Sequence, residues 1–251
     1  RVQAIYIQPT IGIQASERLR VGFGPVVAVS SVELNQLADL SQLPIRDQSD
    51  NIVTDGSGNP IRFSQAGVPF HTAFSKSKLE GENELGFGLN LGASFQATER
   101  LRIGGRFTSP ITVTYDGTAN FEQIPTNLIV PADIPDPRNP GGQPLVFAGT
   151  PVDNVVGEQF SGDGLLVEQD LQTEITFPMQ IVGGISFQAT PDLLLLADYQ
   201  FTQWSSFDTI PLRFENQELN RNRVENYDDT HAVRLAAEYD VLDQLTARAG
   251  Y

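Results

Sequence analysis

Acid–base chemistry near neutral pH would rest on His71 or His231, the two histidines of the 251-residue sequence. His71 follows Phe70 in an irregular stretch, and His231 follows Asp228, Asp229 and Thr230 at the rim of a patterned run. A hydrolase would need one of them beside a serine and a carboxylate. Both histidines read instead as surface or interface residues. Cysteine is absent, which fits passage through an oxidising compartment without disulfides. The 31 acids outnumber the 16 bases, for a formal net charge of −15. That balance argues against nucleic acid, whose partners carry a basic footprint. The acids are scattered without the spacing of a Ca²⁺ loop, so no metal site and no cofactor are expected.

A second chemistry, the capture of apolar molecules, would use greasy residues placed where water is expected. Three stretches interrupt the patterned sequence, at 35–82, 116–172 and 206–229. Loops this long are functional or disordered more often than not. The first holds NQLADLSQL, readable as a short helix, and VPFHTAF. Its candidate contacts are Leu37, Leu40, Val68, Phe70 and Phe74. The second holds seven of the sixteen prolines and two apolar islands, NLIVPADI and PLVFAGTP. Its candidates are Leu128, Ile129, Val130, Leu145, Val146 and Phe147. These residues either pack on one another to hold the loops in place or form a docking groove for an apolar ligand.

The elements that would carry such loops show in the alternation. Leu85, Phe87, Leu89, Leu91, Ala93 and Phe95 alternate with Gly86, Gly88, Asn90, Gly92, Ser94 and Gln96. Period two means a strand with one apolar face. Eight such runs pair into four hairpins, closed by QASERL (Gln14–Leu19), QATERL (Gln96–Leu101), the Thr190–Asp192 turn and the turn near Leu242–Asp243. The apolar halves run ten residues or more, enough to cross hydrocarbon at a tilt, whereas strands of soluble domains average about 5–6 residues. No run of about 18 apolar residues exists to make a transmembrane helix, but a membrane barrel does not need one. Alternation alone does not separate a soluble sandwich from a barrel. Strand length, tight turns at one end against long loops at the other, and aromatics at both ends favour the barrel. Those aromatics are Phe95, Phe187 and Tyr239 before the turns, with Tyr115 and Phe177 near the loops. The fold class expected is all-β, a transmembrane antiparallel up-and-down β-barrel.

Specific residues narrow this further. GFGLNLGASF (Gly86–Phe95), RIGGRFTSPITVTYDGTA (Arg102–Ala119), FPMQIVGGISF (Phe177–Phe187), DYQFTQWSSFD (Asp198–Asp208) and NYDDTHAVRLAAEY (Asn226–Tyr239) resemble, in order, the barrel signatures of FadL-type outer-membrane long-chain fatty acid transporters. The resemblance covers nearly all of the chain outside the loops. It implies about eight strands, the fourth to eleventh of a fourteen-stranded barrel, in a single incomplete domain over 1–251. The N-terminal hatch and the flanking strands would lie outside it, since the chain opens and closes inside patterned runs. The resemblance also implies passive uptake of long-chain fatty acids or similar hydrophobic compounds in the outer membrane. The ligand would dock in the loop groove, pass to a lumenal pocket and leave laterally. Partners would be outer-membrane lipid and the hydrophobic ligand, with a monomer when full length.

On this reading Val26, Val182, Leu194, Leu196 and Trp204, apolar exceptions on the lumenal face, line a pocket or pack under a hatch. A ligand carboxylate would seek a cation, and Lys76, Lys78, Arg106, Arg213 and Arg234 are the candidates. Otherwise these cations pair with lumenal acids such as Asp198 or Glu238. The alternatives are a general porin for small polar solutes, an outer-membrane barrel hydrolase and a soluble lipid-binding β protein. The apolar islands speak against the porin.

Overall fold

The computed structural model describes residues 1–46, 51–55, 57–136 and 141–251. Among the described residues thirteen strands form one antiparallel sheet: β1 Val2–Ile7, β2 Ile11–Gln14, β3 Leu19–Asp39, β4 Ala73–Gln96, β5 Leu101–Thr108, β6 Ile111–Gln123, β7 Gln169–Phe177, β8 Gln180–Thr190, β9 Leu193–Thr202, β10 Thr209–Phe214, β11 Arg221–Val224, β12 Thr230–Leu242 and β13 Leu245–Gly250. Pairing arranges them as eight consecutive runs, several of them broken near mid-length. β1 and β2 both pair with β3, and β3 with β4. Below the breaks the order continues β4–β5–β8–β9–β12–β13; above them it continues β4–β6–β7–β10–β11.

The repeated turn motif has a direct physical basis. In QASERL the Ser16 hydroxyl accepts from the Leu19 amide at 3.0 Å. In QATERL the Thr98 hydroxyl accepts from the Leu101 amide at 3.0 Å. Each hydroxyl gives the returning strand's first amide a side-chain acceptor, and the Leu101 amide also reaches the Thr98 carbonyl at 3.3 Å. Gln96 and Gln188 brace their turns in the same manner, donating to the carbonyls of Thr98 and Thr190.

Near these turns the wall is a membrane wall. Phe23, Leu91, Phe95, Ile103, Ile185, Phe187, Leu235 and Tyr239 are all exposed large apolar residues. Their cross-strand partners on the same face are also apolar, as in Phe23↔Leu91↔Phe107 and Phe95↔Ile103↔Ile185. Glycines, serines and charged groups occupy the opposite face, as in Arg20↔Ser94↔Gly104↔Gly184↔Asp198↔Arg234.

Above mid-height the arrangement inverts. The register between β3 and β4 slips by one residue between Ser30↔Glu84 and Val32↔Gly81. One extra residue in a period-two strand swaps its faces. Leu79 is therefore buried, whereas Leu85 and Phe87 are exposed. Two neighbouring runs break side by side, β5/β6 at Ser109–Pro110 and β7/β8 at Pro178–Met179. Proline has no N–H to give to a ladder, so each break falls where pairing cannot continue. Beyond them β6 leans over the inward face of β3 and β4. Gly86 and Gly88 make this approach possible, because a Cβ at either would come within 2.6 Å of Ile111.

The outcome is a core of water-soluble type. Val26, Ala28, Val32, Leu34 and Leu79 on one side meet Ile111, Val113, Tyr115, Leu171, Ile175, Leu212 and Phe214 on the other. Tyr115 shares a hydrogen bond of 2.6 Å with Ser30 inside it.

Several expectations need correction. Tyr115 belongs to no aromatic girdle, being 1% exposed, and Ile111 and Val113, which continue the apolar alternation of Ile103, are buried with it and do not face lipid. Phe177 turns inward onto Tyr6, with ring centroids 6.0 Å apart. NQLADLSQL is not a helix: Asn35–Asp39 prolongs β3, and only Leu40–Gln42 makes a 3-10 turn. The strands also run further than drawn from sequence, so the first two interruptions shorten to 40–72 and 124–168. The third contains the β10–β11 hairpin.

Candidate functional site

The two long loops fold against each other above the sheet. Leu40, Ile45, Val53, Phe63 and Val68 from the first, with Phe74 at the start of β4, meet Val130, Ile134, Val152 and Val156 from the second in one buried cluster. Short bridges hold the irregular backbone, among them Ile134↔Val146 and Ile129↔Pro151. A helical turn, α1 (Val152–Gly157), closes the second loop. Asp153 ties it down, accepting from the Thr126 hydroxyl at 2.7 Å, the Thr126 amide at 2.8 Å and the Asn127 amide at 3.2 Å. Burial pushes the Asp153 carboxyl up, but these three donors outweigh it and hold the group below the usual carboxylate range.

Between this loop cluster and the upper sheet lies a cavity of about 240 Å³. Phe74 and Phe121 contribute rings from β4 and β6, and Phe63 one from the first loop. Val155, Val156, Leu165 and Leu166 come from the second loop, Phe214 and Leu219 from the β10–β11 hairpin. Edge-on packing of Phe74 on Phe160 and the tilted pair Phe121–Phe214 fix the aromatic walls. Charge enters at Arg46, Glu218 and Arg221. Arg46 Nη2 lies 2.8 Å from Glu218 Oε2, and Arg221 Nη2 donates to Gln36 Oε1 at 2.9 Å.

The candidate contacts of the loops divide by position. Phe74 lines this cavity. Leu40, Val68 and Val130 are buried in the loop cluster, with Leu128, Leu145 and Val146 half-buried against it. Leu37, Phe70, Ile129 and Phe147 are exposed, between 53% and 68%.

Two further concavities lie on the lumenal face. An open cleft of about 450 Å³ is lined by Arg102, Arg106, Val182, Ser186, Leu196 and Asp198 over the floor of Gly104 and Gly184. At the strand breaks a cavity of about 310 Å³ is lined by Tyr6, Arg106, Ile111, Phe177, Pro178 and Trp204. Thus Val182 and Leu196 share one lumenal cleft and Trp204 faces the other. Val26 is buried in the upper core, and Leu194 is half-buried on β9. Trp204 also packs with Phe207 and Tyr227, ring centroids 6.4 and 6.0 Å away.

The cation candidates are dispersed. Lys76 is exposed, and Lys78 pairs with Glu80 at 2.5 Å. Both sit on the outward face of upper β4, opposite buried Ser75, Ser77 and Leu79. Arg213 donates to Asn222 at 3.1 Å, and Arg106 to Gln180 at 3.3 Å. Arg234 pairs with Asp198 at 3.0 Å, and Arg248 with Glu238 at 3.2 Å. Arg46 and Arg221, the cations at the loop cavity, were not singled out from sequence. They lie 175 positions apart, and no local pattern joins them. The one available signal was the apolar company of Arg46 in LPIR, next to the island at Leu40.

The histidines are engaged elsewhere. His231 Nδ1 lies 2.6 Å from the Tyr199 hydroxyl, with the ring against Tyr199 and Phe201. His71 sits beside the Asp39 carboxylate at 4.0 Å.

Known proteins carry the same architecture. A Pseudomonas aeruginosa FadL homologue superposes with a TM-score of 0.69 at 18% identity, covering 99% of this chain and 49% of that one. The Ralstonia pickettii toluene transporter TbuX superposes with a TM-score of 0.60 at 20% identity, covering 100% of this chain and 55% of that one. These likenesses establish the fold. A 47 kDa outer membrane protein of Pasteurella multocida is 25% identical over 187 residues, 74% of this chain and 37% of its own length. The chain therefore spans less than half of that relative. The family model for outer membrane protein transport proteins (OMPP1/FadL/TodX) matches residues 1–251. The chain belongs to this family of outer-membrane transport proteins and has their β-barrel fold.

Proposed function

We propose that the chain forms part of a passive route for long-chain fatty acids or similar hydrophobic compounds across the outer membrane. The ligand enters the cavity between the two long loops, passes to the lumenal clefts and leaves laterally into the bilayer. The observation that carries this reading is the apolar cavity itself, walled by Phe63, Phe74, Phe121 and Phe214 above the lumen. A soluble core would fill such a space, because an unfilled void costs stability.

Burial of a chain gains about 0.8 kcal/mol per CH₂, so an apolar cavity concentrates such a ligand whereas an aqueous pore does not. The apolar members of the lumenal clefts, Val182, Leu196, Phe177 and Trp204, support an onward path. Lateral release follows the same energetics, since the bilayer and not the periplasm is the apolar phase. The full-length protein works as a monomer on this reading, as each barrel would enclose its own path.

Uptake of labelled oleate by cells lacking their own transporter tests the proposal. Expression of the full-length protein should raise uptake; no gain would sink it.

A further inference from the structure

We propose that Asp229 is a positioning residue of the lumenal path. By clasping the Ser205 amide it holds Trp204 at the cavity of the strand breaks, and Trp204 there limits the width of ligand that passes. This rests on the onward path proposed above and adds what governs its width.

The strand breaks do not end at Pro110 and Pro178. In the next run, β9 gives way to β10 through a 3-10 turn, Trp204–Phe207. In the run after that, residues 225–229 separate β11 from β12 and join no ladder. Hydrogen bonds connect these two interruptions at both ends. At one end the Glu225 amide donates to the Asp208 carbonyl at 2.7 Å. At the other the Ser205 amide donates to Asp229 Oδ1 at 2.9 Å. The turn has no side-chain cap of its own. A carboxylate from a different segment thus supplies the acceptor that a first-turn amide lacks.

Trp204 sits beside that clasp. Phe207, at the far end of the turn, packs on the upper core. Gln203, just before the turn, is tied to the lower sheet through the Met179 carbonyl at 3.1 Å. Between these anchors Asp229 holds the turn, and the indole leans on the rings of Phe207 and Tyr227. The cavity that it faces, of about 310 Å³, shares Arg106 with the lumenal cleft. The cavity's other rings, Tyr6 of β1 and Phe177 of β7, lie in strands and pack edge-on against each other. Trp204 instead stands on a turn and is 37% exposed. It is therefore the wall that can yield. A methylene chain slides past the indole, whereas a fused ring system has to push it aside, and the clasp resists that.

Two acids of unequal width serve as probes: labelled oleate, and dodecanoate ending in a pyrene ring. Uptake of both is measured in cells that lack their own transporter and express the full-length protein. The ratio of the two is read, because it does not depend on the amount of protein made. Trp204→Ala should raise the pyrene-to-oleate ratio roughly tenfold. Asp229→Ala should raise it about threefold, less because the indole keeps its ring partners. Asp229→Asn keeps an oxygen for the Ser205 amide and should restore most of the native ratio. Trp204 emission in the purified protein is isolated by subtracting that of Trp204→Phe. It should shift to the red in Asp229→Ala and stay in place in Asp229→Asn.

An unchanged ratio in Trp204→Ala would overturn the filter while oleate uptake, and so the transport reading, stood. Three results would overturn the part of Asp229: a native ratio in Asp229→Ala, a raised ratio there without the emission shift, or equal ratios in Asp229→Ala and Asp229→Asn. If the native protein took up no oleate, the transport reading would fall and this one with it.

Discussion

The lower and upper halves of this sheet use the same strands in opposite ways. Near the tight turns, β3 and β4 present Phe23, Leu91 and Phe95 outward and keep Arg20, Gly92 and Ser94 inside. Near the loops, the same two strands bury Val32, Leu34 and Leu79 and present Asn35, Lys76 and Lys78 outward. A β-strand has no preferred inside; the medium on each face decides. Where lipid surrounds the wall, apolar groups gain by pointing out and polar groups retreat to the lumen. Where water surrounds it, apolar groups gain by meeting one another. The switch needs only a one-residue slip in β4 and two proline-marked breaks. It also explains where the candidate site lies. Apolar surface facing inward is what an interior cavity for a hydrophobic ligand requires, and the upper half supplies it.

A charge placed on each half gives the sharpest contrast. Val113 is fully buried in the upper core and Thr112 beside it is exposed. In the complete protein, Val113→Asp should destabilise by upwards of about 4 kcal/mol, the cost of an unpaired buried carboxylate. Thr112→Asp should stay within about 0.5 kcal/mol. Denaturant unfolding in detergent reads both. Equal effects would mean that the upper sheet is not packed as a core.

The lower half should answer by a smaller amount and for a different reason. Leu91 lies midway along the lipid-facing part of β4 and is 41% exposed. Leu91→Arg should cost about 2–4 kcal/mol in vesicles, the penalty for a cation near the bilayer midplane. Most of that loss should vanish in a test of the same substitution at Asn90, on the lumenal face. A benign Leu91→Arg would place this residue outside hydrocarbon and shift the membrane boundary toward the turns.

This contrast marks the limit of what was legible in the sequence. The lower hairpins could be read because alternation and turn residues agree along each of them, from QASERL to the Thr190–Asp192 turn. Alternation reports the phase of a face within its own strand; it does not report what lies against that face. Ile111, Val113 and Tyr115 continue the apolar phase of Ile103, yet they meet Val26 and Ala28 instead of lipid. Pro110 and Pro178 stand in the sequence, but only pairing shows that the strands break at both and that the breaks are neighbours. The slip in β4 falls in EGENE, where no large apolar residue reveals the phase. In the loops the apolar islands hold both buried residues, Leu40, Val68 and Val130, and exposed ones, Leu37, Phe70, Ile129 and Phe147. Their mutual packing and the meeting of Arg46 with Glu218 are tertiary facts between segments far apart in the chain.

The upper half should also be the acid-sensitive one. The Asp153 carboxyl, held below its ordinary 3.8 by its hydrogen bonds, contributes in full above that value. The contribution is lost as pH falls through the folded-state value, because protonation removes the acceptor charge. Below pH 3.8 the second loop should therefore loosen first, while the lower strands keep their protection. Hydrogen exchange at Thr126 and Asn127, whose amides Asp153 binds, reads this directly. Asp153→Ala should abolish the pH dependence and cost about 1 kcal/mol at neutral pH. If those amides stay protected at low pH, the loop is held by its apolar cluster alone.

The smallest effect lies at the turns. The hydroxyls of Ser16 and Thr98 make the same backbone hydrogen bond in two hairpins, so Ser16→Ala and Thr98→Ala should cost similar amounts, about 0.5–1 kcal/mol each. They lie in different turns and share no partner, so the double variant should show the sum of the two. Both losses should leave ligand binding untouched, since the cavity sits at the other end of the strands. A turn variant that altered oleate uptake would mean that the halves are mechanically coupled through β3 and β4, the two strands that run unbroken from turn to loop.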